Sequence, residues 1–452
     1  MLRESVLFDE GEDWEGPATW GQQSFWDGLR RYDRTAWYLN AAPVWEVPEG
    51  REIADVLRLI GRAVSGFEGL RTDVREVAGE VRQHVCGRGS FGVDVIEAAG
   101  HLRETVAATV RRLRAQPLAG PEQLPFAAAV VTERGRPRQV VWSLSHLSVD
   151  ASSVRTLLGH LDGTGAWQLA TNRSPREQYQ LEAGDRLRTV SERSVRVWTA
   201  TFGDVDLPFA HPRRDSAPGV AQQVLTSTAA AGRLEDLAGR TGAGTAPVLL
   251  ASVALAVGAL LDSCSVPLQL VTSNRHRLDG ADYLGVLAQL GPLLARVTPD
   301  QSFDEIVAQL GRKSMRAYNS AFWSPRALDA VLRDVGREPD EVLGAASTFN
   351  DVRGDFPGPL PHPGTPDEGR DFALRPLDWW PYQGGRCSLA AVGGSHVLQL
   401  AARVDTAYLP AQTAEQLLVA VNTVIRVAHV GDGRERAVGA LYEAVARATD
   451  AL

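Results

Sequence analysis

Residues Val140-Val141-Trp142-Ser143-Leu144-Ser145-His146-Leu147-Ser148-Val149-Asp150-Ala151-Ser152-Ser153 change hydrophobic period within one short stretch. Val140 to Leu144 is a β-prone run with a bulky residue at every second position, and Gly135-Arg136-Pro137 can turn it back from the apolar run Phe126 to Val131. From Asp150 the period becomes 3.6, with Val154, Leu157, Leu158 and Leu161 on one face and Asp150 as a natural N-cap. The chain must therefore accommodate a strand that hands over to a helix, with His146 and Asp150 held at the junction. By itself, such a pair is more often a satisfied loop histidine beside a helix cap than an active site.

The 452 residues suffice for two domains or more, and 44% hydrophobic with 23% charged residues is a globular composition. Forty-seven basic against 55 acidic side chains leave a net charge of -8 with no long basic run, which argues against nucleic acid as a partner. Cys86, Cys264 and Cys387 lie far apart and form no C-x-x-C pair, which suits a reducing cytoplasm and argues against zinc; no metal site is expected. No apolar secretory signal follows Met1, and the longest apolar run, Pro247 to Leu261, falls short of the roughly 20 residues a bilayer needs. It reads as a buried helix, with Thr245 as N-cap and Pro247 in its first turn. Gly239, Gly242 and Gly244 follow a helical stretch rather than a strand, so they make a poor dinucleotide loop.

Around this centre the chain alternates strands and helices. Trp20-Gly21-Gln22-Gln23-Ser24-Phe25-Trp26 opens a helix with an aromatic face, Arg51 to Ala63 is amphipathic, and Asp94 to Arg114 reads as helical. After Ser174-Pro175 a charged amphipathic helix, Arg176 to about Phe202, carries Trp198 and links an N-terminal α/β half to a second half. There, Leu268 to Thr272 is a strand that delivers Ser273-Asn274-Arg275-His276-Arg277 into a loop, and Ser347 to Asp351 ends another. A stretch rich in proline and glycine runs from Arg353 to about Gly369, a length unusual in a compact domain unless it has a role. Val397 to Val404 is an alternating strand, and Thr413 to Val430 is a closing helix.

Four of these segments, in order, resemble the motifs of the condensation domains of nonribosomal peptide synthetases, within the chloramphenicol-acetyltransferase-like superfamily. The resemblance runs from Trp20 to Val430. In the motif His-His-x-x-x-Asp-Gly, the second, catalytic histidine falls on His146 and the aspartate on Asp150; Ser145 and Ala151 replace the first histidine and the glycine. Only the second histidine is shared by the wider superfamily. Gln22 or Gln23 with Trp26 is similar to the first motif, Gly69-Leu70-Arg71-Thr72 to the Leu-Arg-Thr motif, and Asn274-Arg275 with Gln289-Leu290-Gly291-Pro292-Leu293 to the fifth, with Gln289 where asparagine is usual.

The resemblance implies an α/β fold of two chloramphenicol-acetyltransferase-like lobes, residues 1–175 and 176–452, set in a V around a central tunnel. It implies a catalytic His146, an Asp150 that holds the loop through Arg275 or Arg71, and a tunnel lined by Ser145, Ser152, Asn274, Gln289 and Asn350. A latch from the second lobe, held by Trp379, Trp380 and Tyr382, would reach the first. His276, set between Arg275 and Arg277, ranks second as the titrating residue, because neighbouring cations favour its neutral form.

The implied activity is acyl transfer, in secondary-metabolite or antibiotic biosynthesis in the cytoplasm, from a thioester to an amine or alcohol. No bound cofactor is expected. The acyl group would ride on the phosphopantetheine of a carrier protein met in trans, or on coenzyme A, and the enzyme would be free-standing. A neutral histidine, with a reference pKa of about 6.5, suits removal of the nucleophile's proton or stabilisation of the tetrahedral intermediate. Ser145, Ser148 and Ser152 lack a nucleophile elbow. Two other readings follow from the altered motif. One is a catalytically silent module that recruits a partner enzyme; the other is a relative that epimerises, cyclises or dehydrates, although the Asp pair of the cyclising type is missing.

Overall fold

The computed structural model describes residues 2–31, 40–118, 123–163, 173–214, 219–277, 283–353, 364–377, 385–394, 396–432 and 437–450. The chain forms two compact units: Met1–Arg188 with Ser273–Ala288, and Thr189–Thr272 with Gln289–Leu452. The division falls at 188/189 rather than near 175, and the segment after Thr272 belongs to the first unit although its flanking strands belong to the second. Sequence order conceals this, because hydrophobic period assigns elements and says nothing of which core a loop joins.

The strands of the first unit are β1 (Leu2–Asp9), β2 (Trp14–Pro17), β3 (Val44–Glu46), β4 (Thr72–Val77), β5 (Glu80–Val85), β6 (Arg88–Glu97), β7 (Phe126–Glu133) and β8 (Arg136–Leu144). They form a five-stranded sheet in the order β1-β6-β7-β8-β3, parallel only between β6 and β7, and a smaller antiparallel sheet β2-β5-β4. Helices α1 (Trp20–Arg31), α2 (Ile53–Gly66), α3 (Leu102–Arg114), α4 (Ala151–Leu161) and α5 (Pro175–Glu182) accompany them. Val130, Val140, Trp142 and Leu144 pack with Val56, Ile60 and Val64 of α2 and with Leu157 and Leu161 of α4. The alternate residues Ala129, Val131 and Val141 meet Leu113, with Val106 and Val110, of α3. Burial on both faces is why β7 and β8 read as nearly continuous apolar runs.

Two spans differ from the sequence reading. Asp94 to Glu97 belongs to β6, whose β-branched Val93, Val95 and Ile96 suit a strand, and the helix begins only at Leu102. The linking helix is two helices: α5 starts at a Ser174–Glu177 capping box and stops at Ala183, and α6 runs Asp185–Phe202.

The second unit adds β9 (Val220–Ser227), β10 (Ser265–Thr272), β11 (Gln289–Arg296), β12 (Ser347–Asp351), β13 (Ala373–Pro376), β14 (Cys387–Val392) and β15 (Leu398–Asp405). They form one sheet, β11-β10-β12-β14-β15-β9-β13, with β12 parallel to both neighbours. At its core lies α8 (Thr245–Leu260), which follows α7 (Thr228–Thr241) and is buried all round from Val248 to Gly258; this is why it is apolar without a polar face. Its N-cap is Gly244, so Thr245 is the first helical residue and not the cap. Among the described residues no single helix is long and apolar enough to span a membrane. Trp198 of α6 is fully buried, edge-on to Phe202 and Trp323 at 5.6 and 5.7 Å, and is therefore core. Residues 354–363, within the proline- and glycine-rich stretch, and Trp379, Trp380 and Tyr382 lie outside the described residues, so the latch expectation falls there.

Candidate active site

The loop between β8 and α4 closes on itself. Ser148 and Val149 both donate their N–H to the Ser145 carbonyl, and the Ser145 N–H donates to the Pro125 carbonyl. Ser148 Oγ donates to the Thr72 carbonyl at 2.8 Å. Thr72 closes the Leu-Arg-Thr motif. Arg71 within it donates to the carbonyls of Val64, Cys86 and Ser65. Arg71 therefore does not hold Asp150; it ties together the backbone on which the histidine loop rests.

His146 is buried, and its Nδ1 lies 2.8 Å from the Val149 carbonyl. A carbonyl only accepts, so Nδ1 carries the proton and the neutral ring presents its lone pair at Nε2. Among the described residues the hydrogen-bond partner of the ring is the Val149 carbonyl. Burial, the largest influence, pushes the pKa below the usual histidine value against the opposing charge of Asp150 and the Val149 bond, so the ring is neutral near pH 7. Phe25 of α1 stacks on the imidazole at 5.1 Å between centroids, with 17° between planes.

Asp150 is the N-cap of α4, and Oδ1 accepts from the Ser153 N–H at 3.0 Å. Its other oxygen, Oδ2, accepts from Arg275 Nη1 at 2.7 Å and from the backbone N–H groups of Leu287 and Ala288 at 3.0 and 3.2 Å. Burial alone would raise this carboxyl's pKa, but the charge and hydrogen bond of Arg275, with the backbone donors, hold it below the ordinary aspartate value. Ala151 has no positive φ and simply begins the helix, so this turn has no need of the glycine found in the motif.

Arg275 is presented by Asn274, whose φ of 55° lies in the left-handed region that asparagine tolerates and whose Nδ2 donates to the Leu287 carbonyl at 2.8 Å. Arg275 Nη2 also donates to Ser153 Oγ and to the carbonyls of Tyr283 and Gly285 at 2.9, 3.0 and 3.1 Å. Ser153 Oγ accepts from the Gly285 N–H at 3.0 Å, which closes the network. Two glycines let neighbouring backbone come close: a Cβ at Gly21 would stand 2.1 Å from the Val286 carbonyl oxygen, and one at Gly69 2.2 Å from that of Leu284.

Of the residues expected along a tunnel, Ser145 and Ser152 flank the His146–Asp150 span and are buried, and Asn274 braces the arginine loop. Gln289 lies in β11 of the second unit, where its amide bridges the backbone of Trp323, and Asn350 is buried in β12 of the same unit. Gln289 is thus engaged in bracing Trp323. His276 is exposed; partial burial and Arg277 lower its pKa. Gln22 is a capping residue: its Oε1 accepts from the Thr19 N–H, and its own N–H donates to Thr19 Oγ1. The sequence reading missed Ser153 and Phe25. Ser153 sits at the position whose N–H an N-cap aspartate takes up, a signal available in Asp150-x-x-Ser153; Phe25 meets His146 only through tertiary packing.

The fold is that of solved condensation domains. Over 94% of its length the chain is similar to the condensation domain of the monacolin K polyketide synthase, at 14% identity, 99% coverage of that chain and a TM-score of 0.73. It is similar over the same share to a variant of the starter condensation domain of rhizomide synthetase in complex with C8-CoA, at 15% identity, 96% coverage and a TM-score of 0.72. The first condensation domain of the calcium-dependent antibiotic synthetase, in complex with a substrate analogue, gives 18%, 98% and 0.71. No protein-family model and no curated protein sequence matches the chain.

Proposed function

We propose that the chain is a condensation-type acyltransferase that joins an acyl thioester, carried on phosphopantetheine of a carrier protein or on coenzyme A, to an amine or alcohol. The observation that carries this reading is the division of labour at His146: Nδ1 is committed to the Val149 carbonyl, which leaves Nε2 of a neutral ring as the basic atom. As the nucleophile's nitrogen or oxygen bonds to the thioester carbon, its proton passes to Nε2. Collapse of the tetrahedral intermediate breaks the C–S bond, and the departing thiolate takes the proton back.

Asp150 takes up no proton in the transfer. Both of its oxygens are occupied by donors, so it holds the turn that carries His146 and reaches the imidazole through its charge alone. The retained histidine geometry favours this reading over a silent recruiting module. The test is an intact-mass assay in which carrier protein charged with candidate acyl groups, and acyl-CoA in parallel, is mixed with amines and alcohols. Acyl transfer by the native chain and not by His146→Ala supports the proposal. No product from any pair, while a partner enzyme binds and is stimulated, would replace it with the recruiter.

A further inference from the structure

The Val149 hydrogen bond holds the imidazole through one atom, Nδ1, and small coupled changes of the two side-chain torsions let the ring rock within the tolerance of that bond. Rocking would carry Nε2 out of position, and a misplaced acceptor slows proton transfer even when its basicity is unchanged. A second constraint on the ring plane is required. On one face it is supplied by Phe25, at 5.1 Å between centroids and 17° from parallel, an offset stack within the range aromatic pairs favour.

We infer that Phe25 is a positioning residue for His146, its flat face setting the plane of the imidazole while Val149 sets its tautomer. Phe25 is only half-buried, whereas Gln22 and Leu29 on the same helix are buried, so its ring is not simply core filling. Helix α1 itself is anchored well enough to serve. The Thr19–Gln22 box caps it, Gln23 Nε2 donates to the Ala18 carbonyl, and Gly21 seats it against the Val286 backbone. The support thus reaches His146 from an element far from it in sequence, and it needs planarity rather than bulk.

This inference rests on the reading of His146 as the proton acceptor, and the test separates the two. The full chain is labelled with 15N-histidine, and the His146 ring signals are assigned by their loss in His146→Ala. The native protein is expected to show the Nδ1–H tautomer alone. Phe25→Leu keeps apolar volume but has no flat face. It is expected to keep the tautomer that Val149 sets but to give the ring a spread of orientations, seen as broadened His146 ring nitrogen signals, and, in the acyl-transfer assay, to lower kcat about tenfold, the size of one aromatic stack, with KM nearly unchanged. Phe25→Tyr, which keeps the ring, should restore both. Unchanged nitrogen signals in Phe25→Leu, or a tyrosine variant no better than the leucine one at equal melting temperature, would overturn the inference. Native turnover in His146→Ala would instead overturn the catalytic reading, while the nitrogen spectra still decide whether the stack sets the ring.

Discussion

Arg275 Nη1 lies 2.7 Å from Asp150 Oδ2 across 125 positions of sequence, and both side chains are almost wholly buried within the first unit. The pair joins the helix after the His146 loop to the segment that begins after Thr272. Because four further donors surround the two Asp150 oxygens, the charge is solvated by protein in place of water.

Asp150→Asn should therefore cost stability on the order of 3 kcal/mol, since it leaves a buried guanidinium without its counter-charge. Denaturant unfolding monitored by circular dichroism measures it. The pH sign follows from the depressed folded pKa. Asp150 contributes fully above the unfolded aspartate value of about 3.9, and that contribution is lost as pH falls through the folded value, so the native protein should lose stability in acid more steeply than the asparagine variant. A variant as stable as the native chain, with the same acid transition, would remove the structural role.

The partner of Asp150 can be tested by a double-mutant cycle. Asp150→Asn with Arg275→Met should show a coupling above about 1 kcal/mol, because the second change removes the charge that the first left unpaired. Asp150→Asn with Arg71→Met should be additive to within about 0.5 kcal/mol, since Arg71 spends its donors on the Val64, Cys86 and Ser65 carbonyls. The reverse pattern would return Arg71 to the role the family resemblance offered it.

How far the sequence reveals this site depends on the range of each interaction. The strand-to-helix handover was legible, because β8 and α4 declare themselves by period and Asp150 by its capping position. That an arginine meets Asp150 was available only through the family resemblance, which left Arg71 and Arg275 equal; what decides between them is the return of residues 273–288 to the first unit. No hydrophobic pattern encodes that return. The same limit hid Phe25, whose spacing on α1 says only that it faces inward. Where a short-range signal was overridden, as at Asp94 to Glu97, β-branched residues joined a sheet whose other strands lie elsewhere in the chain.

Glu182, at the end of α5, is fully buried, with Oε2 accepting from the Trp20 N–H and Oε1 from Gln178 Nε2, both at 2.7 Å. Burial raises its pKa to about 8 against the opposing hydrogen bonds of Gln178 and Trp20. A raised carboxyl stabilises the fold fully below its unfolded value of about 4.3, and that contribution drains away as pH climbs through the folded value. Between those limits the native chain should become less stable with rising pH. Glu182→Gln, which cannot ionise, should flatten this slope and be the more stable of the two above pH 8. Melting curves from pH 5 to 9 check it, and parallel slopes for the two proteins would show that Glu182 is not protonated in the fold.

His146 itself should separate cleanly from its supports. Among the described residues its side chain makes one hydrogen bond and one ring stack, so His146→Ala should change unfolding free energy by no more than about 2 kcal/mol, the sum of those two contacts. In the proposed acyl transfer, turnover should fall by a factor of about 100 or more, because the lost group would act on a proton that moves only as the new bond forms. Carrier-protein and thioester binding should persist, which places the loss in kcat. With the native chain, kcat/KM plotted against pH should rise through a single ionisation below the usual histidine value, the direction that burial imposes on this ring. His146→Gln, which presents a polar atom but no base in this range, should be as slow as the alanine variant and show no such ionisation. If either variant kept native turnover, proton acceptance would have to be assigned to another group.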